Sequence, residues 1–263
     1  MRFALSPPVT VRVVDLETTG SRPPEHAVVE IGWQDVEQVA EGGEWRLAAE
    51  RGARLVDPGR PIPPQTSAVH HLVDEDVAGS PPWPEAARDV LRPQGTPLAA
   101  FAAHRASFEQ RWCGELAGNV PWLCTWKCAL RLWPEAPSFS NQVLRYWRRP
   151  EGMDRDLALP AHRAGPDAYV TAHHLRDMLQ LASLEQLVAW SREPALLARV
   201  PFGPHRGRRW REVDAAVLDH FVGLTGDRDE DLRFTARHEQ ARRAGETGGE
   251  GASPTALEQA TLF

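Results

Sequence analysis

Val11-Arg12-Val13-Val14-Asp15-Leu16-Glu17-Thr18-Thr19-Gly20 is a β-branched apolar run that ends in two carboxylates one residue apart and then in a turn. Strand side chains alternate faces, so Asp15 and Glu17 project from the same side of the strand's end. Two carboxylates held that close repel each other unless a cation lies between them, and the arrangement asks for a hard divalent metal. Working outward, Ala27-Val28-Val29-Glu30-Ile31-Gly32-Trp33 and the segment Trp45 to Val56 also have strand character. Short links between the three predict an antiparallel meander at the start of a mixed sheet. Glu30, set between apolar neighbours, reads as an edge or capping residue.

Further along, Asp57 to Trp83 is a proline-rich connection long enough to wall a cleft. Pro97 to Ala103 reads as a short buried strand, with a helix from about Ala106. On that helix Glu109, Trp112, Cys113 and Leu116 fall at i, i+3, i+4 and i+7, which sets Glu109 on or beside the apolar stripe, where a charge needs a partner. Pro121 to Arg149 reads as a strand or turn followed by two short helices, its tryptophans assigned to core packing rather than to base stacking. Gly165-Pro166 signals the start of a helix running to about Leu181, with Ala168, Thr171, Ala172, Leu175, Met178 and Leu179 on its buried face. Asp167 then lies in the first turn, and His162 precedes it on a loop.

With 263 residues the chain fits one catalytic domain and a smaller appendage. Its 42% apolar and 25% charged residues are ordinary for a soluble globular protein. A net charge of −6 carries no bulk signature of nucleic-acid binding, so any such partner has to be held by a local basic patch or through metal. Of the 30 lysines and arginines one is a lysine, Lys127, a bias attributed to coding composition. Cys113, Cys124 and Cys128 lack zinc-ligand spacing and predict buried reduced thiols in a cytoplasmic protein. The opening Met1 to Pro8 is too short for a signal peptide, and no apolar run approaches a membrane span, so no membrane partner is expected.

Three segments carry a resemblance. Asp15-Leu16-Glu17-Thr18-Thr19-Gly20, Ala103-His104-Arg105-Ala106-Ser107-Phe108-Glu109, and the H-x4-D pair His162 and Asp167 are similar to the three motifs of the DnaQ-like, or DEDDh, 3'-5' exonucleases. The run Trp122 to Pro134, W-x-C-T-x-K-x-A-x-R-L-W-P, resembles the exodeoxyribonuclease X branch of that family. The resemblance implies a ribonuclease-H-like α/β fold, a mixed β-sheet flanked by helices, with a small C-terminal module and a disordered tail. It also implies metal-dependent hydrolysis of DNA from the 3' end to nucleoside monophosphates, in repair or replication. Two Mg²⁺ or Mn²⁺ ions are implied, with Asp15 bridging both, Glu17 and Asp167 on the nucleophile side, Glu109 assisting the second, and His162 taking the proton of the attacking water. Thr18 and His70 are implied as substrate contacts, a structural hydrogen bond being the other reading of His70.

Two departures stand inside the second motif: Arg105 where the family has asparagine and Glu109 where it has aspartate. The extra methylene moves a ligand by roughly 1 to 1.5 Å, and a misplacement of about 1 Å can cost on the order of a hundredfold in rate. A polymerase proofreading subunit, an RNA-trimming exonuclease and a non-catalytic nucleic-acid binder with a decayed site at Glu109 therefore remain as alternatives.

The expected domains are 1–182 for the exonuclease, 183–243 for an exodeoxyribonuclease X-like DNA-binding module and 244–263 for a flexible tail. From Arg199 to Arg211 there are five arginines, His205 and no acid. This turn resembles the family's F-G-K-x-x-G-K turn and predicts phosphate contacts by Arg206, Arg208 and Arg209. Pro204, Val217 and His220 depart from it, which weakens a stacking role and leaves the electrostatic one. After Arg243 the Gly- and Glu-rich segment predicts disorder. It ends in Gln259-Ala260-Thr261-Leu262-Phe263, similar to the Q-x-x-L-F peptide that grips the DNA polymerase sliding clamp, with Gln259, Leu262 and Phe263 as the contacts and a frayed tail as the other reading.

Overall fold

A computed structural model describes residues 9–38, 40 and 42–249, with side chains to 245. The expected meander forms: β1 (Val9–Thr18) pairs antiparallel with β2 (Val28–Gln38), and β2 with β3 (Trp45–Leu55). The alanine-rich β4 (Leu98–Ala103) lies parallel to β1, and β5 (Trp122–Cys124) parallel to β4, giving the mixed five-stranded order β3-β2-β1-β4-β5. β1 is central, and both its faces are apolar. Val11 and Val13 join one core cluster and Val14 and Leu16 another, so the two-residue alternation packs helices on both sides. Arg12 interrupts that run without exposing a charge: its guanidinium donates to both carboxylate oxygens of Asp35 and to the Val90 carbonyl. Glu30 is not at an edge, since β2 lies between β1 and β3.

The proline-rich connection is not a bare loop. It contains α1 (Pro64–His70) and α2 (Asp74–Val77), and its end opens α3 (Trp83–Leu91), whose Ala86, Ala87, Val90 and Leu91 cover the Val14 and Leu16 face. α4 (Ser107–Cys113) stops at Gly114, φ 43°, so Leu116 falls in the following tight turn rather than on the helix stripe. α5 (Thr125–Leu132), α6 (Asn141–Arg148) and α7 (Ala164–Leu179) follow as the sequence predicts. α7 covers the opposite face of the sheet with Ala168, Ala172, Leu175 and Met178, four residues of its predicted apolar side.

The segment assigned to a linker after residue 182 is instead α8 (Leu184–Arg192), capped by Ser183, whose Oγ accepts the Gln186 N–H. Leu187 and Val188 enter the main core, Ser191 Oγ accepts the Cys124 N–H at 2.8 Å, and Lys127 donates to the Ser191 and Glu193 carbonyls. These ties explain why the first compact unit ends at Glu193 and the second begins at Pro194, rather than at 182 and 183. In the second unit α9 (Ala215–Val222) and α10 (Glu230–Gly249) enclose Val200, Trp210, Leu218, Phe221, Leu232 and Ala236. α10 continues through Ala244 to Gly249, where the tail was expected to begin. Gln259, Leu262 and Phe263 lie outside the described residues. Among the described residues no helix is long and apolar enough to cross a membrane.

Candidate active site

Asp15 and Glu17 follow Val11 and Val13 in the same alternation, so they emerge on the α7 side of the sheet where β1 ends. The first turn of α7 is brought down to meet them by two residues of β2. Gly32, paired with Asp15, leaves the room: a Cβ there would lie 2.1 Å from the Ala164 carbonyl carbon. Glu30, paired with Glu17, supplies the anchor. Its Oε2 accepts the Ala164 N–H at 2.9 Å and its two oxygens accept from Arg163 at 2.9 and 2.7 Å. An otherwise orphaned helix N–H is thereby satisfied, so the capping reading of Glu30 is the one the geometry fits.

Asp167 arrives on this helix with ligand oxygens of Asp15, Glu17 and Asp167 all within 4.8 Å of one another. Three donors fix the Asp167 carboxylate: the His162 N–H at 2.7 Å on Oδ2, and on Oδ1 Gln142 Nε2 at 2.5 Å with Asn141 Nδ2 at 3.5 Å. Glu109, on α4, is also buried, and its Oε2 has no hydrogen-bond partner. It stands outside the 4.8 Å set, yet its charge bears on both Asp15 and Glu17.

The electrostatics follow from burying like charges together. Burial, and then the charges of Asp167, Glu17 and Glu109, raise the Asp15 carboxyl well above its usual range. Burial followed by Asp167 and Glu30 pushes Glu17 to about 8, partly offset by Arg163. Burial also pushes Glu109 to about 8. Burial raises Asp167 as well, against the lowering effect of the His162 N–H and Gln142. Such a set is at rest only with protons or cations added, and its all-oxygen donors suit a hard divalent ion.

His162 adopts φ 62° on the loop before α7, with its backbone tied to Asp167 and its side chain exposed. Thr18 is buried at the end of β1, its hydroxyl donating to the Gly20 carbonyl. His70 ends α1. Its Nδ1 accepts the Leu72 N–H, while the buried Nε2 has no partner and the charges of Glu30 and Arg163 act on it. Arg206, Arg208 and Arg209 belong to the second unit, on the turn between Val200 and Trp210, where Arg208 donates to the Glu212 carbonyl. Beside that turn Phe202, Pro204, Val217, His220 and Phe221 line an apolar cavity of about 340 Å³.

Glu30, Gly32, Asn141 and Gln142 were not singled out as site residues from the sequence. The signal for the first two is their pairing with Glu17 and Asp15, which needs the strand register. The amides needed the fold of α6 against α7, shown by the Asn141 and Gln142 contacts to Asp167.

No protein-family model matches the chain. Exodeoxyribonuclease 10 of Escherichia coli (strain K12) is 33% identical over 233 residues, 87% of this chain and 97% of that protein. A solved structure described as exonuclease X in complex with 5' overhanging duplex DNA shares 31% identity, with a TM-score of 0.56 over 69% of this chain and 99% of the other. Escherichia coli exonuclease I in complex with a dA16 oligonucleotide, 14% identical with a TM-score of 0.52, covers 69% of this chain and 42% of its own, and shares the fold.

Proposed function

Because the chain belongs to the exodeoxyribonuclease X family of DEDDh 3'-5' exonucleases, we propose that Asp15, Glu17, Glu109 and Asp167 hold its divalent cations and that His162 accepts the proton of the attacking water. The chain is a 3'-5' exonuclease of DNA, hydrolysing phosphodiester bonds with divalent metal. The convergence of three carboxylates from β1 and α7 within 4.8 Å carries the assignment of the centre, supported by the partnerless Glu109 Oε2. Oxygen ligands suit Mg²⁺ or Mn²⁺. When bound, two such ions about 3.5 to 4 Å apart polarise the scissile phosphate and stabilise the attacking and leaving oxygens.

The chain's own residues do the rest. Glu30 and Gly32 fix the position of the Asp167 turn against Asp15 and Glu17. The His162 backbone bond to Asp167 couples the proton acceptor to a metal ligand, and the exposed imidazole takes a proton from water as it attacks in line. The remaining proton acceptor at the leaving 3' oxygen is solvent, and a nucleoside monophosphate departs. Thr18 and His70 contact the terminal nucleotide in this reading, and Arg206, Arg208 and Arg209 contact phosphates through the second unit.

DNA with a 3' end is the substrate partner, a reading supported by the duplex bound to exonuclease X. The free buried thiols of Cys113, Cys124 and Cys128 support a cytoplasmic setting. Clamp docking through Gln259, Leu262 and Phe263 is a proposal from the sequence alone. Deleting 259–263 abolishes clamp co-elution if it is right, and unchanged co-elution removes it.

The central test is a 5'-labelled single-stranded DNA with Mg²⁺ or Mn²⁺, beside the same sequence in RNA. A ladder shortening from the 3' end is expected for DNA, and Asp15→Asn lowers its rate on the order of 10³-fold. Labelled DNA that is bound yet left uncut with either ion refutes the nuclease reading.

A further inference from the structure

Arg105 is the residue of the second motif that the centre does not use. It follows β4, carries an exposed side chain, and adopts φ 130°, a region that side chains other than glycine's enter only under strain. Its guanidinium carbon lies 4.3 Å from the centre of the Trp126 ring, a stacked cation–π geometry. Among the described residues the side chain forms no ion pair and no hydrogen bond, so a flat five-donor fork is held in place with no acceptor. Between Arg105 and Trp126 opens a cavity of about 130 Å³, bordered also by Ser107, Gln110, Lys127 and Ser191. No carboxylate lines it, although the chain is acidic overall and Glu109 sits on the neighbouring helix.

The strand register locates this cavity relative to the centre. Val13 pairs with Ala102 of β4, and Ala103 pairs with Cys124 of β5. Asp15, Arg105 and Trp126 therefore stand in a row along the carboxyl ends of three adjacent strands. Strands are spaced about 4.7 to 4.9 Å apart, which puts the cavity on the order of 10 Å from the carboxylates. Cys124, which lines the cavity, feels the Glu109 charge.

We propose that Arg105, braced on Trp126, is a phosphate-binding subsite for the substrate strand on the 5' side of the scissile bond. This rests on the exonuclease reading of the neighbouring centre. A terminal nucleotide seated at the carboxylates leaves the rest of its strand to cross the protein surface. An acid-free guanidinium one or two nucleotides away gives an upstream phosphate the cation that the acidic centre denies it. The stacked arrangement holds the fork in orientation before the strand arrives, which lowers the ordering cost of binding.

Two readouts test this on the full chain. The first is equilibrium binding of a fluorescent single-stranded DNA by the Asp15→Asn protein, with and without Arg105→Asn, an exchange chosen because asparagine tolerates positive φ better than most residues. Affinity is expected to fall about tenfold, and the slope of log affinity against log salt to fall by about 0.7, the contribution of one phosphate contact to single-stranded DNA. Trp126→Leu is expected to give a smaller loss of the same kind. The second readout is the ratio of kcat/KM for the oligonucleotide to that for the p-nitrophenyl ester of thymidine 5'-monophosphate, which has no upstream phosphate. That ratio is expected to drop about tenfold in Arg105→Asn, mainly through KM. Unchanged affinity and salt slope overturn the proposal, as does an equal loss on both substrates, which assigns Arg105 to positioning α4. Failure of the unaltered protein to cleave either substrate strikes the nuclease reading instead, and the binding measurement still decides the subsite.

Discussion

Asp167 and Glu109 are buried to the same degree, 7% and 6% exposed, and are held in opposite ways. Asp167 is gripped by the His162 N–H, Gln142 and Asn141, whereas Glu109 Oε2 touches no donor. The first carboxylate is positioned by the protein alone. The second is a buried acceptor whose partner has to come from outside, and burial accordingly carries it to about 8. One centre thus combines a preorganised ligand with a strained one, and the difference can be broken or sharpened experimentally.

The largest effect is expected from exchanging each acid for its amide. Asp167→Asn sets an NH₂ group against a carboxylate site built of N–H donors, so activity falls on the order of 10³-fold and the melting temperature falls with it. Glu109→Gln meets no such donors. Its activity falls roughly tenfold to a hundredfold, but its melting temperature at pH 8 without metal rises, because a buried charge has been removed. Thermal unfolding of both variants beside the nuclease assay checks this. A melting temperature that falls equally in the two erases the contrast.

How far this was legible in the sequence differs between the same two regions. The Val11 to Gly20 run carries its own alternation, and the meander, the central carboxylates and the α7 face all followed from local pattern. The pairing of Glu30 with Glu17 and of Gly32 with Asp15 was not legible, because strand register is set by two chain segments together. Nor was the role of Gln142, an exposed-type amide on a short helix whose meaning comes from α7 lying against it. α8 was missed because its nine residues show a weak stripe, although Ser183 is a good N-cap signal. The turn at Gly114 ended α4 early, so the Glu109 to Leu116 spacing overstated the helix while still placing Glu109 inward.

The next effect concerns pH. Glu17 and Glu109 titrate near 8 in the fold and near 4.5 as unperturbed groups. Between those values the folded chain holds protons that the unfolded chain has released, so without metal its stability declines as pH rises from about 5 to about 8. Divalent cation bound to the folded state alone reverses the trend, since it replaces protons and binds better as they leave. Melting curves at pH 5, 6.5 and 8, with EDTA and with Mn²⁺, are expected to separate most at pH 8. Stability that climbs toward pH 8 in EDTA contradicts the buried, uncompensated cluster.

The smallest effect probes the grip on Asp167 itself. Gln142 bridges inward to Asp167 Oδ1 at 2.5 Å and outward to Arg145 Nη1 at 3.2 Å, and Arg145 is in turn fixed by the Ala158 carbonyl at 2.8 Å. Gln142→Ala removes one donor and leaves the His162 N–H at 2.7 Å with the long Asn141 contact at 3.5 Å. One such bond is worth about 1 kcal/mol, which corresponds to a loss of roughly fivefold in rate if it is felt wholly in the transition state. A decline of that size, with metal affinity slightly weakened and Asn141 still in place, marks Asp167 as held redundantly. If Gln142→Ala instead reaches the Asp167→Asn level, the carboxylate depends on a single side chain, and its contrast with Glu109 narrows to one hydrogen bond.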